Sequence, residues 1–187
     1  MRITTPLTVD KIQDLKAGDR VLLSGYIYTA RDAAHKKMIE SLNRGESLPI
    51  EIKDQTIYYV GPTPSKEGMV IGSAGPTTSY RMDSYTPKLL DLGLRAMIGK
   101  GSRSKDVIES IVKNKAVYFA SIGGAAAYTS KCIKECNVIA YESLQSEAIR
   151  KLYIEDLPLI VVIDSKGNNF YEIGQNNYLN SIISSEI

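Results

Sequence analysis

The sequence has few of the residues that most often bind metals or carry out nucleophilic catalysis: its 187 residues include two cysteines and one histidine, His35. A structural zinc site or an iron–sulfur cluster takes about four protein ligands. Cys132 and Cys136 lie in the segment CIKEC, where a spacing of four places both on one face of a predicted helix. The chain therefore has too few ligands for such a centre of its own, and small apolar packing residues are the favoured interpretation of the cysteines.

Long apolar runs and a strong net charge are also missing. No stretch approaches the ~18 consecutive apolar residues of a transmembrane helix. The N-terminal segment has no apolar signal-peptide core and contains acidic residues, so we expect a cytoplasmic protein without a membrane segment. A formal net charge of +2 does not favour a nucleic-acid partner. The length and the 43% hydrophobic content predict a single globular domain over residues 1–187, with a peripheral tail from about residue 175.

The first half of the chain predicts strands with one helix between them. Val21–Ala30 is rich in β-branched and aromatic residues and predicts a strand. A helix is predicted over residues 31–46, where Gly45 marks its end. Thr56–Pro62 and Met69–Pro76 predict two short strands joined by a polar loop, compatible with an antiparallel pair.

In the second half, apolar strands alternate with amphipathic helices. This alternation predicts parallel β-α-β units with right-handed crossovers, and hence an α/β fold. The predicted elements are strands at 95–101, 116–124, 137–142 and Leu157–Asp164, with helices at 104–115 and 125–136.

Polar residues and glycines follow the predicted strands at the points where these end. Because ligands of open α/β sheets bind outside the carboxyl ends of the strands, we expect these residues to meet at one edge. The residues are Arg31 and Asp32, Gly75–Thr78 with Arg81 one turn further, Lys100 and Gly101, and Gly123 and Gly124.

Three cations near glycine turns indicate a site for an anion. Arg31 and Arg81 could each bind a carboxylate or a phosphate with two hydrogen bonds, and Lys100 adds a point charge. The alternative is that the arginines are surface charges paired with Asp32 and Asp83.

Other common sites find less support in the sequence. In the segment GLRAMIGKG, five residues separate Gly93 from Gly99, and Gly101 stands where a phosphate-binding loop needs a hydroxyl. The segment GKGSRS offers no third glycine for a dinucleotide site. No Gly-x-Ser-x-Gly segment accompanies His35, so a Ser-His-Asp triad is not favoured, and a structural or supporting role for His35 is preferred over a direct catalytic one.

Several segments, in order along nearly the whole chain, resemble the β subunit, or C-terminal catalytic domain, of class I iron–sulfur hydro-lyases. That family contains the oxygen-sensitive fumarate hydratases and the L-tartrate dehydratases. The segments that carry the resemblance are YTARDAAHK (Tyr28–Lys36), GPTTSYRMDSY (Gly75–Tyr85), GKGSRS (Gly99–Ser104), GGAAAY (Gly123–Tyr128) and EDLPLIVVIDSKGNN (Glu155–Asn169).

The resemblance implies a fold and a partner. The fold would be a swivelling β/β/α domain with three layers, in which a parallel sheet packs against a smaller antiparallel sheet and helices. The cofactor would be a [4Fe-4S] cluster with one iron free of cysteine, which acts as a Lewis acid. That cluster would be carried by a partner α subunit in an α2β2-like hetero-oligomer, which fits a chain with only two cysteines.

The resemblance also implies roles for individual residues. Thr77 would be the catalytic base, while Arg31, Arg81 and Lys100 would bind the carboxylates of a small dicarboxylate substrate. The reaction would be the reversible hydration of fumarate to L-malate. The residues that would support the site are Asp32, His35, Gly75 and Thr78.

Three alternatives remain open. The first is the β subunit of an L-tartrate dehydratase, which forms oxaloacetate; the segment RMDSY resembles the fumarase version of the motif more closely. The second is a non-catalytic module that binds a dicarboxylate or a phosphate without turnover. The third is an assembly subunit with vestigial residues, against which the intact Thr77, Arg31, Arg81 and Lys100 argue.

Overall fold

A computed structural model describes residues 1–121, 126–175 and 178 of the chain. A 3₁₀ helix at Ser79–Met82 and a 3₁₀ segment at Glu142–Glu147, which is interrupted by a kink at Gln145, accompany the regular elements. The strands are β1 (Arg2–Thr4), β2 (Arg20–Thr29), β3 (Thr56–Tyr58), β4 (Ala96–Gly99), β5 (Val117–Ser121), β6 (Ile133–Ala140) and β7 (Ile149–Ile163). The α-helices are α1 (Val9–Ile12), α2 (Asp32–Asn43), α3 (Thr86–Asp91), α4 (Lys105–Asn114) and α5 (Ala126–Cys132).

One mixed sheet contains all seven strands in the order β1-β2-β3-β4-β5-β7-β6. The pairs from β1 through β5 are parallel, whereas β7 is antiparallel to β2, β5 and β6. Because β7 pairs with both β5 and β2, the strands β2, β3, β4, β5 and β7 form a closed ring. The predicted α/β fold is confirmed in this form, but the three-layer arrangement with a separate antiparallel sheet is not.

The strands bury side chains on both faces, as near-continuous apolar strands must. Ile57, Tyr59 and Met97 pack with residues of α2, α3 and α4 in one cluster. Their neighbours Tyr58 and Ile98 point the other way and join a second cluster with β2, β5 and β7. The strand ends are thus fixed from both sides, and the loops that leave them start from rigid positions.

Local sequence signals account for the helices that flank the site. The predicted helix over 31–46 appears as α2, and its buried face includes Ala34 and Met38. The Ser104 hydroxyl accepts a hydrogen bond from the Val107 N–H and caps α4. At the other end of α4, Lys115 takes a left-handed conformation at the C-cap. Both helices confirm the sequence-based predictions.

Three predictions about elements are wrong. Met69–Pro76 contains no strand. An isolated antiparallel bridge joins Pro76 to Val60, and the Ser73 backbone exchanges hydrogen bonds with Thr63 in the preceding loop instead of with a strand. The helix predicted over 125–136 ends at Cys132, and β6 begins at the next residue. The two cysteines therefore do not share a helix face.

The third error concerns strand direction. β6 and β7 run antiparallel, so the last part of the chain is not a parallel β-α-β unit. β7 has 15 residues and begins well before the predicted Leu157.

Two further predictions fall on residues outside the described ranges. These are the turn at Gly123 and Gly124 and the tail beyond residue 175, of which only Tyr178 is described. The single-domain organisation stays a prediction. Within the described ranges, no helix combines the length and the apolar character needed to cross a bilayer.

Candidate active site

The ends of three neighbouring parallel strands provide the frame of the candidate site. Arg31 comes two residues after the end of β2, and Lys100 directly follows β4. Between them, the N–H of Thr77 donates a hydrogen bond of 2.7 Å to the carbonyl of Tyr59, immediately after β3. The structure therefore brings Arg31, Thr77 and Lys100 to one sheet edge, although Thr77 does not follow a strand of its own.

Backbone contacts fix the segment that carries Thr77 between the ends of β3 and β4. Pro76 bridges to Val60 on one side, and Thr78 bridges to Lys100 on the other. The N–H of Ser79 donates to the carbonyl of Lys100 at 2.9 Å, and the Ser79 hydroxyl accepts from the Lys100 N–H at 3.1 Å. Thr77 and Lys100 are thus positioned by the main chain.

The 3₁₀ helix that follows positions Arg81 beside α2. The Arg81 Nε atom lies 2.8 Å from Oδ1 of Asp32, and the Arg81 side chain is 52% exposed. The other oxygen of Asp32 lies 3.8 Å from the Arg31 Nε atom. Asp32 therefore lies between the two arginines. The alternative from the sequence paired Arg81 with Asp83, whereas in the structure Arg81 pairs with Asp32.

Arg31 has a second acidic neighbour, which the sequence analysis missed. Glu147 lies with one carboxylate oxygen 3.6 Å from the Arg31 Nη2 atom. No motif or spacing in the sequence connects the two residues, which only the fold brings together. Among the described residues, Arg31 Nε and Asp32 Oδ2 are buried atoms without a hydrogen-bond partner.

A buried ion pair behind the site was also missed. The Arg103 Nε atom lies 2.7 Å from Oδ1 of Asp83. The second oxygen of Asp83 accepts from the Ser104 N–H at 2.5 Å, while Arg103 donates to the Thr86 hydroxyl at 2.8 Å. The rings of Tyr59 and Tyr118 flank the guanidinium, 5.4 and 5.0 Å from its carbon. This pair joins the segment after Arg81 to the loop after Lys100.

His35 lies in the first turns of α2, fully buried beneath the site. Its Nδ1 atom is 2.9 Å from the Arg31 carbonyl and carries the proton, because a carbonyl can only accept. The ring packs edge-on against the ring of Tyr59, with 5.3 Å between the two ring centroids. Burial lowers the pKa of His35 to about 4, so the ring is neutral near pH 7. His35 thus links the backbone of Arg31 to Tyr59, whose carbonyl holds Thr77.

The remaining predicted site residues have backbone roles in the structure. Gly75 lies against α5, and a Cβ atom added there would be 3.0 Å from the Cβ of Ala126. Thr78 is exposed and contributes its backbone bridge to Lys100. Both residues therefore shape the segment around Thr77.

The candidate site is an open surface. Thr78, Arg81 and Lys100 are exposed. A groove of about 550 Å³ lies nearby, lined by residues such as Pro62, Gln145 and Arg150, but the candidate cations are not among its lining residues. The described part of the chain therefore leaves the surface around Thr78, Arg81 and Lys100 open.

The described residues do not fit an iron–sulfur cluster. They contain no group of three or more histidine, cysteine, aspartate or glutamate side chains arranged to hold a metal ion. Burial raises the pKa of both Cys132 and Cys136, which disfavours the thiolate form that binds iron. An iron–sulfur cluster would therefore need ligands from outside the described residues.

Comparison with known proteins gives the site a context. The "Fumarate hydratase class I, aerobic" of Salmonella typhimurium is 39% identical over 179 residues, which are 95% of this chain and 31% of that protein. "Fumarate hydratase 2" of Leishmania major is 41% identical over 169 residues, 87% of this chain and 30% of that protein. The chain spans about a third of the length of the fumarate hydratases it matches.

A shorter relative is matched over most of both chains. The "Putative L(+)-tartrate dehydratase subunit beta" of Methanocaldococcus jannaschii is 40% identical over 172 residues, 89% of this chain and 88% of that protein. The family model described as "Fumarase C-terminus" matches residues 1–174. These matches confirm the resemblance found in the sequence motifs, and the chain belongs to the fumarase C-terminus family.

Proposed function

We propose that this chain is the β subunit of an iron–sulfur hydro-lyase that reversibly hydrates fumarate to L-malate. The main support is the position of four residues at the carboxyl edge of three parallel strands: Arg31, Thr77, Arg81 and Lys100. The chain that carries them is a member of the fumarase C-terminus family. The [4Fe-4S] cluster belongs, in this proposal, to a cytoplasmic α subunit that forms an α2β2-like assembly with this chain.

The charges around the site sum to a positive value, which favours an anionic ligand such as a carboxylate. Arg31, Arg81 and Lys100 bring three positive charges, whereas Asp32 and Glu147 bring two negative charges that lie within 4 Å of the arginines. The Arg81 contact to Asp32 runs through Nε, which leaves the terminal nitrogens of its half-exposed guanidinium for a ligand. Each charge-assisted hydrogen bond to a carboxylate contributes about 1.5–3 kcal/mol.

Thr77 is the proposed base for the dehydration of L-malate. In its deprotonated form, the Thr77 side-chain oxygen takes the proton from the carbon next to one carboxylate and becomes a neutral hydroxyl. The electron pair of that C–H bond forms the C=C bond, and the substrate hydroxyl leaves the neighbouring carbon as hydroxide, which the partner subunit accepts. The negative charge that develops spreads into the carboxylate, where Arg81 and Lys100 stabilise it. The neutral threonine hydroxyl is a weak base, so Thr77 must act in its deprotonated form, which the same two cations favour.

The α subunit supplies the rest of the reaction in this account. Because the described residues of this chain do not fit a cluster, we assign the groups that accept the leaving hydroxyl to the partner. The open surface around Thr78, Arg81 and Lys100 supports this division, since a second chain can cover the substrate there.

A second candidate substrate, L-tartrate, is favoured by one observation. The relative from Methanocaldococcus jannaschii has a name that refers to L(+)-tartrate, and 88% of that protein matches this chain. The fumarate hydratases, in contrast, are about three times as long as this chain. The two substrates differ by one hydroxyl group, and the same cations bind the carboxylates of both.

Anaerobic capture of the chain from its native lysate tests the proposal. The eluate is assayed for fumarate formed from L-malate and for oxaloacetate formed from L-tartrate. Malate dehydration that is lost in air, with an iron-bearing second chain in the eluate, is the expected result. Activity on tartrate alone would retain the site and change the substrate. An intact iron–sulfur partner without turnover of either acid would refute the hydro-lyase and support a binding module.

A further inference from the structure

Glu147 makes two different contacts at the start of α2. Its Oε2 atom accepts a hydrogen bond of 2.8 Å from the backbone N–H of Ala33, which lies 114 positions away in the sequence. Its Oε1 atom faces the Arg31 Nη2 atom at 3.6 Å. The backbone contact holds the carboxylate in place, so the second oxygen presents a fixed negative charge to Arg31.

The Arg31 side chain also lies against a glycine. A Cβ atom at Gly61 would lie 2.5 Å from the Arg31 Nη1 atom and 3.0 Å from its Cδ atom. The same position is 3.3 Å from the carbonyl oxygen of Ser146. The Arg31 side chain therefore lies over the backbone at Gly61 and beside the end of the 3₁₀ segment that carries Glu147.

The charge contacts orient Arg31 without using up its donors. The carboxylates of Asp32 and Glu147 lie 3.8 and 3.6 Å from the guanidinium nitrogens, which is longer than a charge-assisted hydrogen bond of about 2.7–2.9 Å. The Nε atom of Arg31 is buried and has no hydrogen-bond partner among the described residues. The Arg31 side chain is still 20% exposed, so a ligand can reach it from its exposed side and not at Nε.

We propose that Glu147 is a positioning residue that holds the Arg31 guanidinium ready to bind a carboxylate of the substrate. The proposal rests on the proposed function, because it takes Arg31 to be a ligand of the dicarboxylate. Glu147 acts through Arg31 and not on the substrate, so it affects substrate binding more than the chemical step.

Two substitutions separate the charge of Glu147 from its backbone contact. In Glu147→Gln, the amide oxygen can still accept from the Ala33 N–H, but the negative charge beside Arg31 is lost. Glu142→Gln is the matched control, because Glu142 is exposed at the start of the same segment, before the kink at Gln145. Both changes remove one negative charge from the same short segment.

The test uses two readouts on the wild type and both variants. The first is the NMR order parameter of the Arg31 Nε–H bond in the full chain, which requires no catalysis. The second is the steady-state kinetics of the captured complex with L-malate. In Glu147→Gln we expect a lower Arg31 order parameter and a KM about tenfold higher, with kcat changed less than threefold; Glu142→Gln stays like the wild type.

Several results would overturn the proposal. An Arg31 order parameter that Glu147→Gln leaves unchanged contradicts the positioning role, whatever the kinetics. A lower order parameter with unchanged KM contradicts its importance for substrate binding. If the wild-type complex turns over neither malate nor tartrate, the proposed function fails, and the NMR comparison alone then decides whether Glu147 positions Arg31.

Discussion

Arg103 and Asp83 form an ion pair at 2.7 Å in which the two side chains are 0% and 8% exposed. Asp83 directly follows the 3₁₀ helix that carries Arg81, and Arg103 lies three positions after Lys100. The second oxygen of Asp83 also binds the backbone of Ser104. The pair therefore sets the distance between the two segments that present Arg81 and Lys100 to the candidate site.

Removing one member of this pair should destabilise the fold strongly. Arg103→Met leaves the Asp83 carboxylate buried without its counter-charge, which costs about 3–5 kcal/mol in comparable cases. We expect this loss in urea unfolding, and a partial recovery in the double variant Arg103→Met/Asp83→Asn, because the uncompensated charge is then gone. Arg44→Met is the control, since the exposed pair of Arg44 with Glu46 is worth about 0–1 kcal/mol. An equal loss of unfolding free energy in Arg103→Met and Arg44→Met would contradict this account.

The single histidine predicts a specific pH dependence. Burial lowers the pKa of His35 from 6.5 to about 4. Between these values the unfolded chain binds a proton on this ring and the folded chain does not, so this contribution to stability falls as the pH drops. The loss amounts to about 3 kcal/mol once the pH approaches 4. His35→Asn, which keeps an N–H donor near Nδ1, should lack this contribution.

NMR titration of the same residue provides the direct check. Because the chain has one histidine, its ring signals need no separate assignment. A measured pKa near 6.5 would mean that the ring is not buried as the structure has it, and the predicted difference between the wild type and His35→Asn would vanish.

Arg81 should matter for activity but little for stability. Its side chain is half exposed and its ion pair with Asp32 is of the surface kind, so Arg81→Ala should change the free energy of unfolding by less than about 1 kcal/mol. In the captured complex we expect KM for L-malate to rise at least tenfold and kcat to fall. Arg44→Ala, which removes another exposed arginine, should behave like the wild type. Full activity of Arg81→Ala would remove Arg81 from the substrate site.

Local patterns in the sequence predicted the frame of the site. The ends of β2 and β4, where Arg31 and Lys100 lie, follow from apolar runs that stop at polar residues and glycines. The helical spacing of the apolar residues in α2 and the serine that caps α4 are equally local signals. The catalytic and binding roles of Thr77, Arg31, Arg81 and Lys100 stay predictions, because they depend on a ligand and a partner.

The features that the sequence did not predict depend on contacts between distant segments. Glu147 reaches the start of α2 only because β7 runs back along β2. The partner of Asp83 is Arg103 instead of the nearby Arg81, because the fold brings the loop after β4 against Asp83 and Thr86. The antiparallel direction of β7, which closes the ring, is set by pairing with β2 and β5 and leaves no local signature.

The central claim is that Thr77 removes the substrate proton in a complex completed by another subunit. Its most direct test is the rate of L-malate dehydration by the captured complex containing Thr77→Val, compared with Thr77→Ser and the wild type. We predict that Thr77→Val lowers kcat by at least a hundredfold with KM changed only slightly, while Thr77→Ser, which keeps a hydroxyl, retains part of the activity. Near-normal dehydration by the Thr77→Val complex would contradict the assignment of Thr77 as the base.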